Sequence, residues 1–174
     1  MKIVVSSSHL LLKYLQPKSG AVFAALDVGT NNVGVAISDQ SRVFINPIQN
    51  IVRKGGELRM KIESIKSFSS KLNTVVNQHK IDVLVVGLPI HDDKFNPLCH
   101  EIVELMTTIQ LSRDSTICTF WDESYSSMAA KNMTAIRTTS KSRFLKDKDG
   151  LAASYLLRNF FKSHGVLGDF KNEI

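Results

Sequence analysis

The chain has 174 residues, 43% of them hydrophobic and 22% charged, with a net charge of +6. These totals fit one globular domain with a full core. Two cysteines, Cys99 and Cys118, exclude a disulfide framework or a zinc finger and read as reduced thiols packed like small hydrophobes. No apolar stretch is long enough to span a membrane; the reduced thiols suit an intracellular setting, expected to be cytoplasmic ahead of organellar. The basic balance suits an acidic partner such as nucleic acid, and equally keeps a protein soluble.

Residues 1–20 form an acid-free N-terminal extension; the first acidic residue is Asp27. Serines interrupt its apolar run, against a secretory signal, and it lacks the Arg enrichment of a transit peptide. A short amphipathic helix over residues 10–15 is expected. Residues 22–26 are almost all apolar, as in a strand buried on both faces. Val33, Val35 and Ile37 alternate with smaller residues, the period of a second strand. Gly29-Thr30-Asn31-Asn32 has hairpin-turn chemistry, because Gly and Asn tolerate positive φ.

A third strand over residues 42–52 contains Pro47, which lacks an N–H donor and predicts an edge. Leu58, Ile62, Ile65, Phe68, Leu72, Val75 and Val76 have the three-four spacing of an amphipathic helix ending near residue 80. Residues 81–88 read as a central strand, closed by Gly87-Leu88-Pro89. A helix over 97–111, a fifth strand over 116–121 and a helix over 126–136 follow. Residues 137–148 read as a polar, basic stretch running into a last helix over 147–163, and residues 165–174 as a frayed tail. The order predicts an α/β domain over residues 21–164: a five-stranded mixed sheet, a three-strand meander plus two parallel strands, with helices on both faces.

Ligands of open α/β sheets bind beyond the C-terminal strand ends. Asp27 ends the first strand, and Trp121-Asp122-Glu123-Ser124 ends the fifth. Asp149 lies three residues before Ala152 and seven before Leu156, on the buried stripe of the last helix. A carboxylate at the end of a buried strand is costly unless a cation meets it. Asp27 also reads as an acid capping its own turn, and Asp149 as a first-turn partner of the helix dipole with Asp147 as cap. Asp27, Glu123 and Asp149 together supply the hard oxygen ligands that Mg²⁺ or Mn²⁺ requires.

These strings carry a resemblance. Leu26-Asp27-Val28-Gly29-Thr30 with Gly34-Val35-Ala36-Ile37-Ser38-Asp39 resembles the opening motif of the YqgF/RuvX family. These are Holliday-junction resolvase-like proteins of RNase H-like fold, also described as pre-16S rRNA nucleases. Val85-Val86-Gly87-Leu88-Pro89 resembles the family's next strand motif. Asp122-Glu123-Ser124 stands at its Asp-Glu-Arg, and Asp149-Gly150-Leu151-Ala152-Ala153 resembles its Asp-x-x-Ala-Ala helix start. The resemblance covers most of residues 22–162. It implies an RNase H-like fold and a divalent-metal nuclease with Asp27, Glu123 and Asp149 as ligands. The chain departs from the family at Ser124, where the family has Arg, and in residues 90–97, where it has a polar loop with Asn and Gly.

Thr30 and Asn31, in the turn beside Asp27, are expected to meet nucleic acid. So are Arg137, Lys141, Arg143, Lys146 and Lys148, which can hold a phosphate backbone without reading sequence; the plain alternative is a solvated loop. His91, Asp92 and Asp93 are adjacent and point different ways, against a metal cluster. Phe120 and Trp121 read as core packing rather than a base-stacking platform. Two other functions compete: a non-catalytic RNA- or ribosome-binding module, and an actin-like or sugar-kinase-like ATP site, which needs two such domains. Symmetric cutting of a junction would call for a homodimer.

Overall fold

The computed structural model describes residues 2–4, 8–53, 62–90, 96–122 and 141–166, without the side chains of Gln49 and residues 141–147. The expected helix over 126–136 and the residues His91, Asp92 and Asp93 lie outside the described residues. The strands are β1 (Lys2–Ile3), β2 (Phe23–Val28), β3 (Asn32–Ser38), β4 (Ile45–Val52), β5 (Val83–Leu88) and β6 (Ile117–Asp122). The helices are α1 (His9–Leu15), α2 (Ile62–Gln78), α3 (Pro97–Thr108) and α4 (Lys141–Ser163).

One mixed sheet runs in the order β1-β6-β5-β2-β3-β4. The meander and the two parallel strands stand as expected, with β3 antiparallel to both neighbours and β5 and β6 parallel to β2. The sheet has a sixth strand: Lys2 and Ile3 pair in parallel with Ile117 and Cys118. A two-residue strand carries no alternation to read, and the backbone partner on β6 alone defines it. Pro47 lies on β4, the edge, as its missing donor requires.

Strand alternation sends one set of apolar side chains to each face. Leu26, Val33, Val35, Leu84 and Val86 pack with Phe68 and Leu72 of α2 and Ile102 and Met106 of α3. Phe23, Ala25, Val83 and Val85 pack on the other face with Leu11 of α1 and Leu156, Phe160 and Phe161 of α4. Cys99 and Cys118 are free and fully buried, and burial pushes the Cys118 thiol up to about 12. They pack as small hydrophobes, as the sequence indicates. Trp121 meets Phe160 edge-on with centroids 5.3 Å apart, a packing role. His164 lies 5.4 Å from the Trp121 ring, with Nδ1 2.8 Å from the Phe160 carbonyl.

Two helices also differ from expectation. Helix α3 stops at Thr108, three residues short of 111, while Ile109 and Leu111 stay buried beyond its end. Helix α4 begins at Lys141, so residues 141–148 are helical rather than a loop. That stretch has no Gly or Pro, and its Lys, Arg and Leu are good helix formers. Asp147 is therefore no cap, and Asp149 lies well beyond the first turn.

Candidate active site

The site is built around the end of β2. Asp27 pairs in register with Gly34 of β3, and the Gly29 N–H closes the turn on the Asn32 carbonyl at 2.9 Å. The segment leaving β4 straps this turn. The Arg53 N–H donates to the Asn31 carbonyl at 2.8 Å, and Arg53 Nη1 donates to the Gly29 carbonyl at 2.7 Å. Sequence reading did not single out Arg53.

Gly34 has no side chain, and the main chain of Asp149 occupies the space where one would stand. This close approach sets Asp149 beside Asp27. Burial and the neighbouring Asp149 carboxylate raise the Asp27 carboxyl from 3.8 to about 6, and Lys148 acts in the opposite direction. The causes are physical: desolvation penalises the charged form, and two like charges share one site. Asp149, from an element remote in sequence, therefore stands close enough to Asp27 to disfavour its charged form.

Asn50 also approaches the pair, with Nδ2 3.4 Å from Asp149 Oδ2. Nothing in composition or spacing marks it; its placement comes from an irregularity in β4. Across one face of the sheet the sequence thus brings together Asp27, Gly34, Asn50 and Asp149. Thr30 and Asn31 are exposed in the adjoining turn. Of the basic residues, Lys148 is exposed on α4, close enough to affect Asp27. Lys141, Arg143 and Lys146 lie on the α4 backbone, and Arg137 lies outside the described residues.

Glu123 also lies outside the described residues. The preceding residue, Asp122, closes β6 opposite Leu88 of β5, while Leu26 pairs with Val86. The last described residue of β6 thus stands at the sheet end that carries Asp27. Among the described residues, no group of three or more His, Cys, Asp or Glu gathers to hold a metal. The described pair does suit a hard divalent cation: two oxygen donors, one strongly desolvated, repelling each other. Thiolate and imidazole, which favour softer metals, are not part of the pair.

A mixed sheet with helices on both faces and acids at its strand ends is the RNase H-like arrangement. Among solved structures the chain is similar to RuvC of T. thermophilus in complex with a Holliday junction substrate. That match has a TM-score of 0.53 at 12% identity, covering 84% of this chain and 97% of that one. The sequence matches the family described as "RuvX: Holliday junction resolvase" over residues 21–163. The chain belongs to the RuvX family. It is 31% identical over 139 residues to the Ruegeria pomeroyi protein named "Putative pre-16S rRNA nuclease", covering 79% of this chain and 84% of that protein. A Bartonella bacilliformis protein of the same name is 30% identical over 152 residues, covering 87% of this chain and 84% of its own length. Among the described residues no helix is long and apolar enough to cross a membrane.

Proposed function

We propose that this chain is a divalent-metal-dependent endonuclease that hydrolyses phosphodiester bonds in structured nucleic acid, with its catalytic domain over residues 21–164. Precursor rRNA is the first substrate class, after the name its curated relatives carry. A four-way DNA junction is the second, after the family description. The observation that carries the reading is the close approach of Asp149, over Gly34, to Asp27 at the end of a central strand, where Asp27 is desolvated and faces a second carboxylate.

In this reading Asp27, Asp149 and Glu123 hold Mg²⁺ or Mn²⁺. The bound cation supplies Lewis acidity at the phosphate and lowers the pKa of the attacking water. The protein's own groups fix geometry. The β2 backbone and the contact at Gly34 hold Asp27 and Asp149 side by side. Arg53 keeps the 29–32 turn closed, so that Thr30 and Asn31 meet the nucleic-acid backbone. Lys148, with Arg137, Lys141, Arg143 and Lys146, attracts phosphate without reading sequence. Ser124, in place of the family's Arg, favours a second reading: a non-catalytic RNA-binding module.

The test incubates purified protein with Mn²⁺ or Mg²⁺ and either a labelled precursor rRNA fragment or a four-way DNA junction, with Asp27→Asn alongside. Metal-dependent cleavage that falls about a thousandfold in the variant, roughly 4 kcal/mol in the barrier, is expected. The substrate that is cut selects the role, and the junction arm further calls for a two-fold dimer. A folded wild type that binds RNA but cuts neither substrate would transfer the assignment to the non-catalytic module.

A further inference from the structure

Strand β4 does not alternate evenly. Val33 pairs with Ile51, but Val35, two residues on, pairs with Ile48, three residues back. Two steps along β3 therefore oppose three along β4, the signature of a β-bulge at residues 49–50. The side-chain pattern records the shift. Pro47 faces α4, where a Cβ on Gly150 would meet its Cβ at 2.9 Å. Ile48 packs against the opposite core, with α2. Even alternation from Ile48 would place residue 50 on the α2 side and residue 51 on the α4 side. The reverse holds: Ile51 is buried in the α2 core, and the Asn50 amide reaches Asp149 of α4.

We infer that the β4 bulge exists to deliver Asn50 to Asp149, and that Asn50 is a positioning residue that orients this carboxylate toward a divalent cation shared with Asp27. An ionised carboxylate only accepts hydrogen bonds, so the amide NH₂, not its oxygen, must face it. The contact engages Oδ2 at 3.4 Å and restricts rotation of the carboxylate. Outer-shell partners of this kind set ligand orientation in metal sites. An amide offsets Asp149 charge without neutralising it, whereas a lysine or arginine there would compete with the cation for the same oxygens. The assignment rests on the metal-nuclease reading above and adds to it a residue remote in sequence from the acidic motifs.

The test is Mn²⁺ binding by titration calorimetry of the folded full chain, independent of any cleavage. Asn50→Ala and the near-isosteric Asn50→Leu remove the donor; Asn50→Gln keeps an amide; Asp149→Asn removes the ligand. Expected is a Kd for Mn²⁺ about tenfold weaker in Asn50→Ala and Asn50→Leu, with partial recovery in Asn50→Gln. Asn50→Leu covers the case in which the alanine variant fails to fold. A purely structural Asn50 would lower the urea midpoint in EDTA and leave Mn²⁺ affinity of the folded variants unchanged, which overturns the inference. In that event Asp149→Asn would still abolish binding and the metal site would stand. If the wild type itself takes up no Mn²⁺, the inference and the nuclease reading fall together.

Discussion

The main chain of Asp149 lies against Gly34 so closely that a Cβ on Gly34 would stand well inside 3.0 Å of the Asp149 carbonyl. Helix α4 and strand β3 are locked at this point, and Asp27, the register partner of Gly34, lies beside the lock. Glycine is required here for close approach rather than for an unusual φ. Gly34→Ala must displace a helix backbone, which has no side-chain rotamer to yield. The expected loss is at least about 3 kcal/mol, at the upper end of overpacking costs. Urea unfolding would read it as a lower midpoint, and a midpoint equal to wild type would show that α4 does not pack against Gly34. Separation of Asp149 from Asp27 should also remove Mn²⁺ binding from whatever folded protein remains.

Without metal, the acid pair makes stability depend on pH. Asp27 ionises at about 6 in the folded protein against an ordinary 3.8, raised by burial first and by Asp149 second. Below 3.8 the group is protonated in both states and contributes nothing. Between 3.8 and about 6 the native state holds more protons than the unfolded chain, so stability falls as pH rises. Above 6 the penalty is complete, on the order of 3 kcal/mol. Asp27→Asn removes it. In EDTA the variant should match wild type near pH 4 and exceed it by roughly 3 kcal/mol at pH 7. Parallel stability curves for the two proteins across this range would mean that Asp27 is not held as a strained acid.

A divalent cation should reverse that difference. Ligands that bind only the native state stabilise it by mass action, about 4.1 kcal/mol at roughly one thousand times Kd, which exceeds the Asp27 penalty. Addition of Mn²⁺ should therefore raise the melting temperature of wild type and leave Asp27→Asn unmoved, so that the order of stability inverts with metal. A melting temperature of wild type indifferent to Mg²⁺ and Mn²⁺ alike would remove the case for a cation between Asp27 and Asp149.

Residue type and spacing alone revealed the central strands, because a fully buried strand must be a continuous apolar run, as in Val83–Leu88. Asp27 and Asp149 were legible for a related reason: each is a charge placed where only apolar residues are cheap. Asn50 was not. The bulge that aims it exists only as a mismatch between β3 and β4, and its one trace in the sequence is two isoleucines, Ile48 and Ile51, facing the same core three residues apart in a strand. The start of α4 was hidden because residues 141–148 are nearly all polar and show no periodicity. Strand β1 was hidden because two residues have no period.

Gly150 sits inside α4, where Gly ordinarily costs about 1 kcal/mol relative to Ala. Gly150→Ala would normally stabilise a helix. Here the new Cβ would stand 2.9 Å from the Cβ of Pro47 on the edge strand, with Asn50 Oδ1 at 3.6 Å. The clash should outweigh the propensity gain and leave the variant about 1 kcal/mol less stable. Pro47→Gly removes the opposing Cβ, so in that background Gly150→Ala should become stabilising. A double-mutant cycle in urea measures the coupling; additive effects would place the two residues out of contact.

Arg42 fixes the N-terminal segment to the sheet. It is 3% exposed and adopts a φ of +61°. Its Nη1 donates to the Leu15 carbonyl at 2.6 Å, and Nη2 donates to the Tyr14 and Gln16 carbonyls and the Ser19 hydroxyl at 2.7, 2.9 and 2.7 Å. The guanidinium lies 5.3 Å from the Phe23 ring centroid, so one cation closes the end of α1 and covers the start of β2. A lysine keeps the charge but offers a single ammonium in place of a planar fork, and leaves buried carbonyls unpaired. Arg42→Lys should cost about 1.5–3 kcal/mol, the range for hydrogen bonds to a charged group. Because the acceptors all lie in residues 14–19, the loss should be local first. Hydrogen exchange should accelerate in α1 before the central strand β5, whose amides report global unfolding. Equal acceleration in both elements would mean that α1 and the sheet unfold as one unit and that Arg42 supports the whole core rather than the docking of α1.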